Sequence, residues 1–163
     1  MQELYEGIEL TSEQTVWVCK GLLDLAAVDG VDPSEIDFIQ EFYQAETGSD
    51  RDVQYLRSEG FDLAEAAAVF KAGGGDLVEA FLMSSYMLIY ADGHFSPEER
   101  SRIADYATAL DVDHAALEEI HVKARLWLLR MLADNLRNRE AVKQVGLHNL
   151  GLTEDQFSDL LGE

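Results

Sequence analysis

The sequence predicts an all-α, single-domain bundle of about seven or eight helices, in which two helical hairpins are related by an internal repeat. Apolar residues recur at spacings of three and four along most of the 163 residues, as on the buried face of an amphipathic helix. The chain contains only two prolines, and each directly follows an Asp or Ser that can cap a helix. Because the length suits one domain of ordinary size, we expect residues 1–163 to fold as one unit.

The first predicted helix spans residues 12–28. Cys19 and Leu23 lie on its apolar stripe, and Gly30 is the predicted C-terminal cap. Cys19 is the only cysteine, so no internal disulfide can form, which is typical of a reducing compartment. The first ten residues carry three glutamates and no basic residue, unlike a signal peptide, and we therefore expect a cytoplasmic protein.

The second predicted helix begins with a capping box. Asp32 is the N-cap, Pro33 occupies the first turn, and Glu35 stands three residues after the cap. Two short helices are expected to follow, at residues 50–57 and 62–71.

Three glycines at positions 73–75 interrupt the chain near its midpoint. A glycine run cradles phosphate when a strand precedes it and Lys-Ser/Thr follows it, but here Asp76 follows, which predicts a flexible connector. The central helix over residues 76–90 is apolar on nearly all sides and is expected to be the most buried. Its apolar run is too short to cross a bilayer.

A second hairpin repeats the first. After Asp92, Ser96 is predicted to cap a helix with Glu99 as its capping-box partner, and Asp113 caps a long helix. The expected core positions of that long helix are Leu117, Ile120, Ala124, Leu128 and Met131. A last short helix is expected after Thr153. Its inward-facing residues would be Phe157, Leu160 and Leu161.

The repeat is the most informative feature of the sequence. Residues 25–30 read LAAVDG and residues 88–93 read LIYADG, and a Pro-started helix follows each, with DPSE at 32–35 and SPEE at 96–99. This succession resembles the TerB-like family of helical domains over residues 16–120. The family includes a tellurite-resistance protein and the N-terminal domain of a membrane-tethered DnaJ-like co-chaperone. The second segment is the closer match, because the turn after the first Asp-Gly is one residue shorter.

The resemblance implies a stress-response module of the tellurite-resistance kind, which acts by binding a divalent cation and by protein contacts. The alternative is a metal-free protein-interaction domain like that of the co-chaperone. The metal ligands would be Asp29, Asp92, Glu35 and Glu99. We expect calcium, magnesium or manganese to bind weakly, because neither loop has the residue spacing of a calcium-binding loop.

Local chemistry leaves two interpretations of the aspartates open. A carboxylate at the C-terminal end of a helix opposes the helix dipole by about 0.3–1 kcal/mol, and a bound divalent cation would relieve this. An Asx-turn, in which the side chain accepts from nearby backbone N–H groups, would do so without metal. Glu35 and Glu99 are capping-box residues in either case.

The charge of the chain limits its partners. Twelve basic and thirty-two acidic residues give a net charge of −20, which repels nucleic acid and attracts cations and basic partners. A solvated acidic surface that maintains solubility is the simpler interpretation.

One basic stretch, residues 123–143, contrasts with this charge, since it holds six Lys and Arg residues. Arg125, Arg130, Arg137 and Arg139 interleave with leucines there. The stretch could contact an acidic protein partner or lie peripherally on an anionic membrane. The simpler interpretation is that it pairs with the acidic half of its own chain.

No catalytic triad or nucleotide-binding motif is present, and we expect no enzymatic activity. His114, Glu118 and His121 share one face of the long helix, and the last two form a Glu-x-x-His motif. Di-metal bundles need two such motifs on facing helices, and the chain has one. A structural role or chance therefore explains this motif better than a metal centre.

Overall fold

The computed structural model describes residues 2–91 and 95–135, together with residues 151 and 153. Over these ranges the chain is all-α, which confirms the predicted fold class. Within them, a 3-10 helix at Gln2–Tyr5 precedes seven α-helices. These are α1 (Ser12–Ala26), α2 (Pro33–Thr47), α3 (Tyr55–Ser58), α4 (Leu63–Gly73), α5 (Gly75–Tyr90), α6 (Pro97–Ala109) and α7 (His114–Asn135).

Side-chain caps set the starts of most helices. The Thr11 hydroxyl accepts from the Gln14 N–H at 3.1 Å, and the Gln14 side chain accepts from the Thr11 N–H at 2.9 Å. The predicted caps Asp32, Ser96 and Asp113 are confirmed, since each side chain accepts a backbone N–H from the first turn of its helix. Each cap satisfies a donor that the helix itself leaves without a partner.

Helix α5 is the centre of the bundle. Twelve of its sixteen residues are buried, as the sequence predicted. The hydroxyls of Ser84 and Ser85 donate to the carbonyls of Ala80 and Phe81, at 2.8 and 2.9 Å, and Ser84 also bonds to the Tyr5 hydroxyl at 2.9 Å. Because these polar groups are satisfied, the helix can be enclosed on nearly all sides.

The two predicted hairpins are α1 with α2 and α5 with α6, and α1 packs directly on α5. Gly21 permits this close approach, because a Cβ atom there would lie 2.7 Å from Cζ of Phe81. Helix α7 packs on the second hairpin, mainly against α5. The helices of the core are therefore grouped around α5.

The first helix ends earlier than the sequence predicted. Its last residue is Ala26 and its C-cap is Ala27, so the prediction that Gly30 caps the helix is wrong. The Val28 N–H donates to the Leu25 carbonyl, a tighter turn in which the α-helical pattern stops. Gly30 instead has a φ of +90° within the following loop.

The helix predicted at residues 50–57 is shorter, because it begins only at Tyr55. The side chain of Gln40 binds the backbone ahead of it, donating to the Arg51 carbonyl at 2.9 Å and accepting from the Val53 N–H at 2.7 Å. These bonds hold the segment against α2 in a non-helical path.

The three glycines form a tight joint rather than the predicted connector. Gly73 ends α4 and Gly75 begins α5, so Gly74 alone separates the two helices. Gly74 has a φ of +101°, which other residues rarely adopt.

The core face of α7 agrees with the sequence only in its first half. Leu117, Ile120 and Ala124 are buried, but Leu128 is half-buried and Met131 is 41% exposed. Helix α7 has 22 residues and α5 has 16, so at 1.5 Å per residue α5 cannot cover its full length. The helix predicted after residue 153 lies outside the described residues.

Candidate functional site

The first Asp-Gly loop connects α1 to α2. Asp29 is exposed and lies two residues beyond the C-cap Ala27, not in the last helical turn as the sequence suggested. The influence of the helix dipole fades within that last turn. The electrostatic argument for a cation at Asp29 is therefore weaker than the sequence implied.

Glu35 forms the predicted capping box from a buried position. Its side chain is 3% exposed, and Oε2 accepts the Asp32 N–H at 3.1 Å. Asp32 in turn accepts from the hydroxyl and the N–H of Ser34, at 2.5 and 2.8 Å. These two bonds, the hydroxyl first, lower the pKa of Asp32. Asp32 therefore acts as the N-cap of α2 through one of its two carboxylate oxygens.

The second Asp-Gly loop lies partly outside the described residues. Asp92 is a predicted metal ligand that lies outside the described residues. Glu99 is 2% exposed, and its N–H donates to the Ser96 hydroxyl at 3.1 Å, which is one half of the predicted capping box. Glu99 and Glu35 are therefore equivalent, since both stand three residues after an N-cap and both are buried.

In the part of the chain that the structure describes, no group of three or more His, Cys, Asp or Glu side chains is arranged to hold a metal ion. The first loop offers Asp29 and Glu35 without a third ligand. The ligand set of the second loop depends on Asp92, so the metal site stays a prediction.

A cleft of about 430 Å³ lies between α5, α6 and α7. The Glu-x-x-His face of α7 forms one wall. The side chains that dominate its lining are Tyr86, Phe95, Arg100, His114, Glu118 and His121. The sequence singled out the three α7 residues but not this cleft, because Tyr86, Phe95 and Arg100 come from other segments. The clue available in the sequence was Tyr90 and Phe95, two aromatic residues that flank the second Asp-Gly loop.

His121 forms the floor of the cleft. Its ring stacks on Tyr86 with centroids 4.2 Å apart, and its Nε2 shares a hydrogen bond of 2.9 Å with the Tyr90 hydroxyl. Burial lowers the pKa of His121 to about 4, and the positive charges of Arg125 and Arg100 act in the same direction. The floor is therefore aromatic and uncharged at neutral pH.

The rim of the cleft carries opposite charges. Arg100 lies over the ring of Phe95, 4.6 Å from its centroid, and Glu118 lines the same cleft from α7. Neither forms an ion pair within the described part of the chain. Two exposed charges of opposite sign thus border one aromatic surface.

A separate polar network joins α1 to α6. Arg102 Nε donates to Asp24 Oδ2 at 2.7 Å, and the Tyr106 hydroxyl donates to the same oxygen at 2.5 Å and to the Gly21 carbonyl at 2.8 Å. Tyr106 is fully buried, and burial raises the pKa of its hydroxyl. These bonds hold α1 against α6, so the network braces the fold.

The basic stretch is partly used within the chain. Lys123 pairs with Glu79 at 2.7 Å, and Arg125 donates to the Gly151 carbonyl at 3.2 Å. Arg130 is exposed, whereas Arg137 and Arg139 lie outside the described residues. The described contacts fit pairing within the chain for the first part of the stretch.

Comparison of the chain with models of known families, with curated proteins and with solved structures finds no match. The resemblance to TerB-like domains stays a prediction. None of the described helices combines the length and the apolarity that a membrane span requires.

Proposed function

We propose that the chain is a non-enzymatic, TerB-like stress-response module that acts through weak divalent-cation binding at its two Asp-Gly loops and through protein contacts. The burial of Glu35 and Glu99 carries this proposal. Acidic residues that only maintain solubility need not be buried. Here each hairpin buries one carboxylate at the equivalent position, three residues after the N-cap of its second helix.

The chemistry of the loops supports a cation of the calcium or magnesium type. Carboxylate oxygens are the ligands that these ions prefer, and Asp29 presents one at the surface beside the start of α2. The net charge of −20 raises the local concentration of cations. Without a closed loop, most ligands would come from water, so we expect a dissociation constant of about 10⁻⁴–10⁻³ M.

A metal-free interaction domain is the second candidate. The observation that favours it is the bond between Glu35 Oε2 and the Asp32 N–H, because a capping role alone gives that oxygen a partner. Under this alternative Asp29 is a solvated turn residue, and both loops serve only to connect helices.

The proposed contact surface lies on the last turns of α7 and the segment after it. Arg130 is exposed there, and Met131 and Leu132 are 41% and 37% exposed. Apolar side chains beside an arginine suit a partner with an acidic, partly apolar surface. Arg137 and Arg139 extend the same charge along the sequence.

Calorimetric titration of chelator-treated protein with calcium, magnesium and manganese tests the cation proposal. Wild-type protein should bind at least one of them, and Asp92→Asn should abolish the part of the heat that comes from the second loop, which we expect to be the larger part. Asp29→Asn should weaken it. Each variant should change the free energy of unfolding by no more than about 1 kcal/mol, the scale of a single cap.

Asp50→Asn is the matched control, because it removes the same charge from an exposed loop outside the repeat. It should leave the titration unchanged. Equal weakening by Asp50→Asn would show that only the diffuse acidic field attracts the ion. No heat in wild-type protein would favour the metal-free domain.

A further inference from the structure

The cleft between α5, α6 and α7 has the size and composition of a small-molecule site. Its volume of about 430 Å³ falls within the range of ligand pockets, about 300–1,000 Å³. Its floor is the stacked pair of Tyr86 and His121, with Phe95 edge-on to the imidazole at 5.3 Å. Phe95 is only half-buried, so it is the aromatic side chain of the cleft that a guest's ring can contact.

The floor is held rigidly, which lowers the entropy lost on binding. Tyr86 is 3% exposed and His121 is 6% exposed. The hydrogen bond between Tyr90 and His121 fixes the plane of the imidazole. A guest would therefore meet a preformed surface.

The rim supplies one cation and one anion. Arg100 projects from α6 and Glu118 from α7, and both line the cleft. Among the residues that the structure describes, neither has an ion-pair partner.

We propose that this cleft binds a small aromatic zwitterion, a molecule with a flat ring, a carboxylate and an ammonium group, as in a free aromatic amino acid. The ring lies against Phe95, above the buried pair of Tyr86 and His121, the carboxylate pairs with Arg100, and the ammonium pairs with Glu118. Arginine suits the carboxylate, because its planar fork donates two parallel hydrogen bonds. An uncharged aromatic guest would cover both charges without pairing them, which is unfavourable.

Binding of L-tryptophan and of two analogues tests each part of the proposal. Tryptamine lacks the carboxylate, and indole-3-propionate lacks the ammonium group. Ligand-observed NMR or calorimetry should give L-tryptophan an affinity about tenfold higher than either analogue, since hydrogen bonds to charged groups contribute about that factor each.

Two variants assign the charges. Arg100→Gln should lower the affinity for L-tryptophan about tenfold and leave the affinity for tryptamine unchanged. Glu118→Gln should lower the affinity for L-tryptophan by a similar factor and leave the affinity for indole-3-propionate unchanged. Both positions are exposed, so the variants should keep the wild-type circular dichroism and melting temperature. Arg57→Gln, an exposed arginine distant in sequence from the cleft lining, is the control and should bind all three probes as wild type does.

Ala104→Phe tests the location, because it places a ring in the cleft from an exposed position on α6. It should abolish binding of L-tryptophan while the protein stays folded. The proposal is overturned if L-tryptophan does not bind at millimolar concentration, or if Ala104→Phe binds it normally. It is also overturned if one analogue binds as tightly as L-tryptophan, which would indicate a simple amine or carboxylate site.

Discussion

Cys19 and His121 are titratable side chains with almost no exposed surface, and burial changes the chemistry of both. Burial raises the pKa of the Cys19 thiol to about 12, so almost no thiolate, the nucleophilic form, is present at neutral pH. The interpretation of Cys19 as a core residue is confirmed by its complete burial. Burial lowers the pKa of His121, which keeps the cleft floor neutral.

The low pKa of His121 predicts a loss of stability in acid. Its pKa is about 4 in the folded chain and 6.5 when unperturbed, so the unfolded chain binds the proton more tightly. The stabilisation from the neutral ring is complete above pH 6.5 and is lost as the pH falls towards 4. Urea unfolding across this range should show the decline.

His121→Phe provides the comparison, because phenylalanine keeps a ring against Tyr86 but cannot bind a proton. Its stability should fall less than that of wild-type protein over the same pH range. An NMR titration of the imidazole should give a midpoint near 4 for His121. A midpoint near 6.5, or equal acid sensitivity of the variant, would contradict the assignment.

At the scale of helices, the position of α1 against α5 depends on one glycine. The Cβ of an alanine at position 21 would lie 2.7 and 2.8 Å from Cζ and Cε2 of Phe81. Phe81 has little room to move, since its ring lies 4.4 Å from that of Phe70 and 5.5 Å from that of Tyr106, centroid to centroid. The two hairpins therefore meet at a tightly packed point.

Gly21→Ala should lower the free energy of unfolding by about 1–3 kcal/mol, the usual cost of overpacking, despite the better helix propensity of alanine. Gly75→Ala is the matched control at the start of α5, where an added Cβ meets nothing within 4 Å. It should be neutral or stabilise by up to about 1 kcal/mol. Urea unfolding of both variants measures the difference, and equal effects would show that the contact at Gly21 is not tight.

Features encoded in a few consecutive residues could be predicted from the sequence. The caps Asp32, Ser96 and Asp113 depend on bonds within one turn, and α5 is recognisable because nearly every side is apolar. The cleft could not be predicted, because it needs three helices to meet. The early end of α1 at Ala26 could not be predicted either, because before Gly30 no glycine or proline marks it in the sequence.

At the scale of the whole molecule, the net charge of −20 affects every proposal. It repels anionic partners and enriches cations near the surface, but physiological salt screens it beyond about 8 Å. A specific cation site must therefore depend on how the carboxylates are arranged locally, and not on the net charge of the whole chain. The same field disfavours a simple anion in the cleft, whereas a zwitterion carries no net charge.

The central claim is that the two Asp-Gly loops bind a divalent cation, and the amide chemical shifts of the loop glycines test it most directly. Chelator-treated protein is titrated with calcium to millimolar concentration at constant ionic strength. Gly30 and Gly93 should shift and saturate, while Gly48 and Gly60, loop glycines with φ of +70° and +80° outside the repeat, should not. Unchanged shifts at Gly30 and Gly93, or equal drift at all four glycines, would contradict the claim.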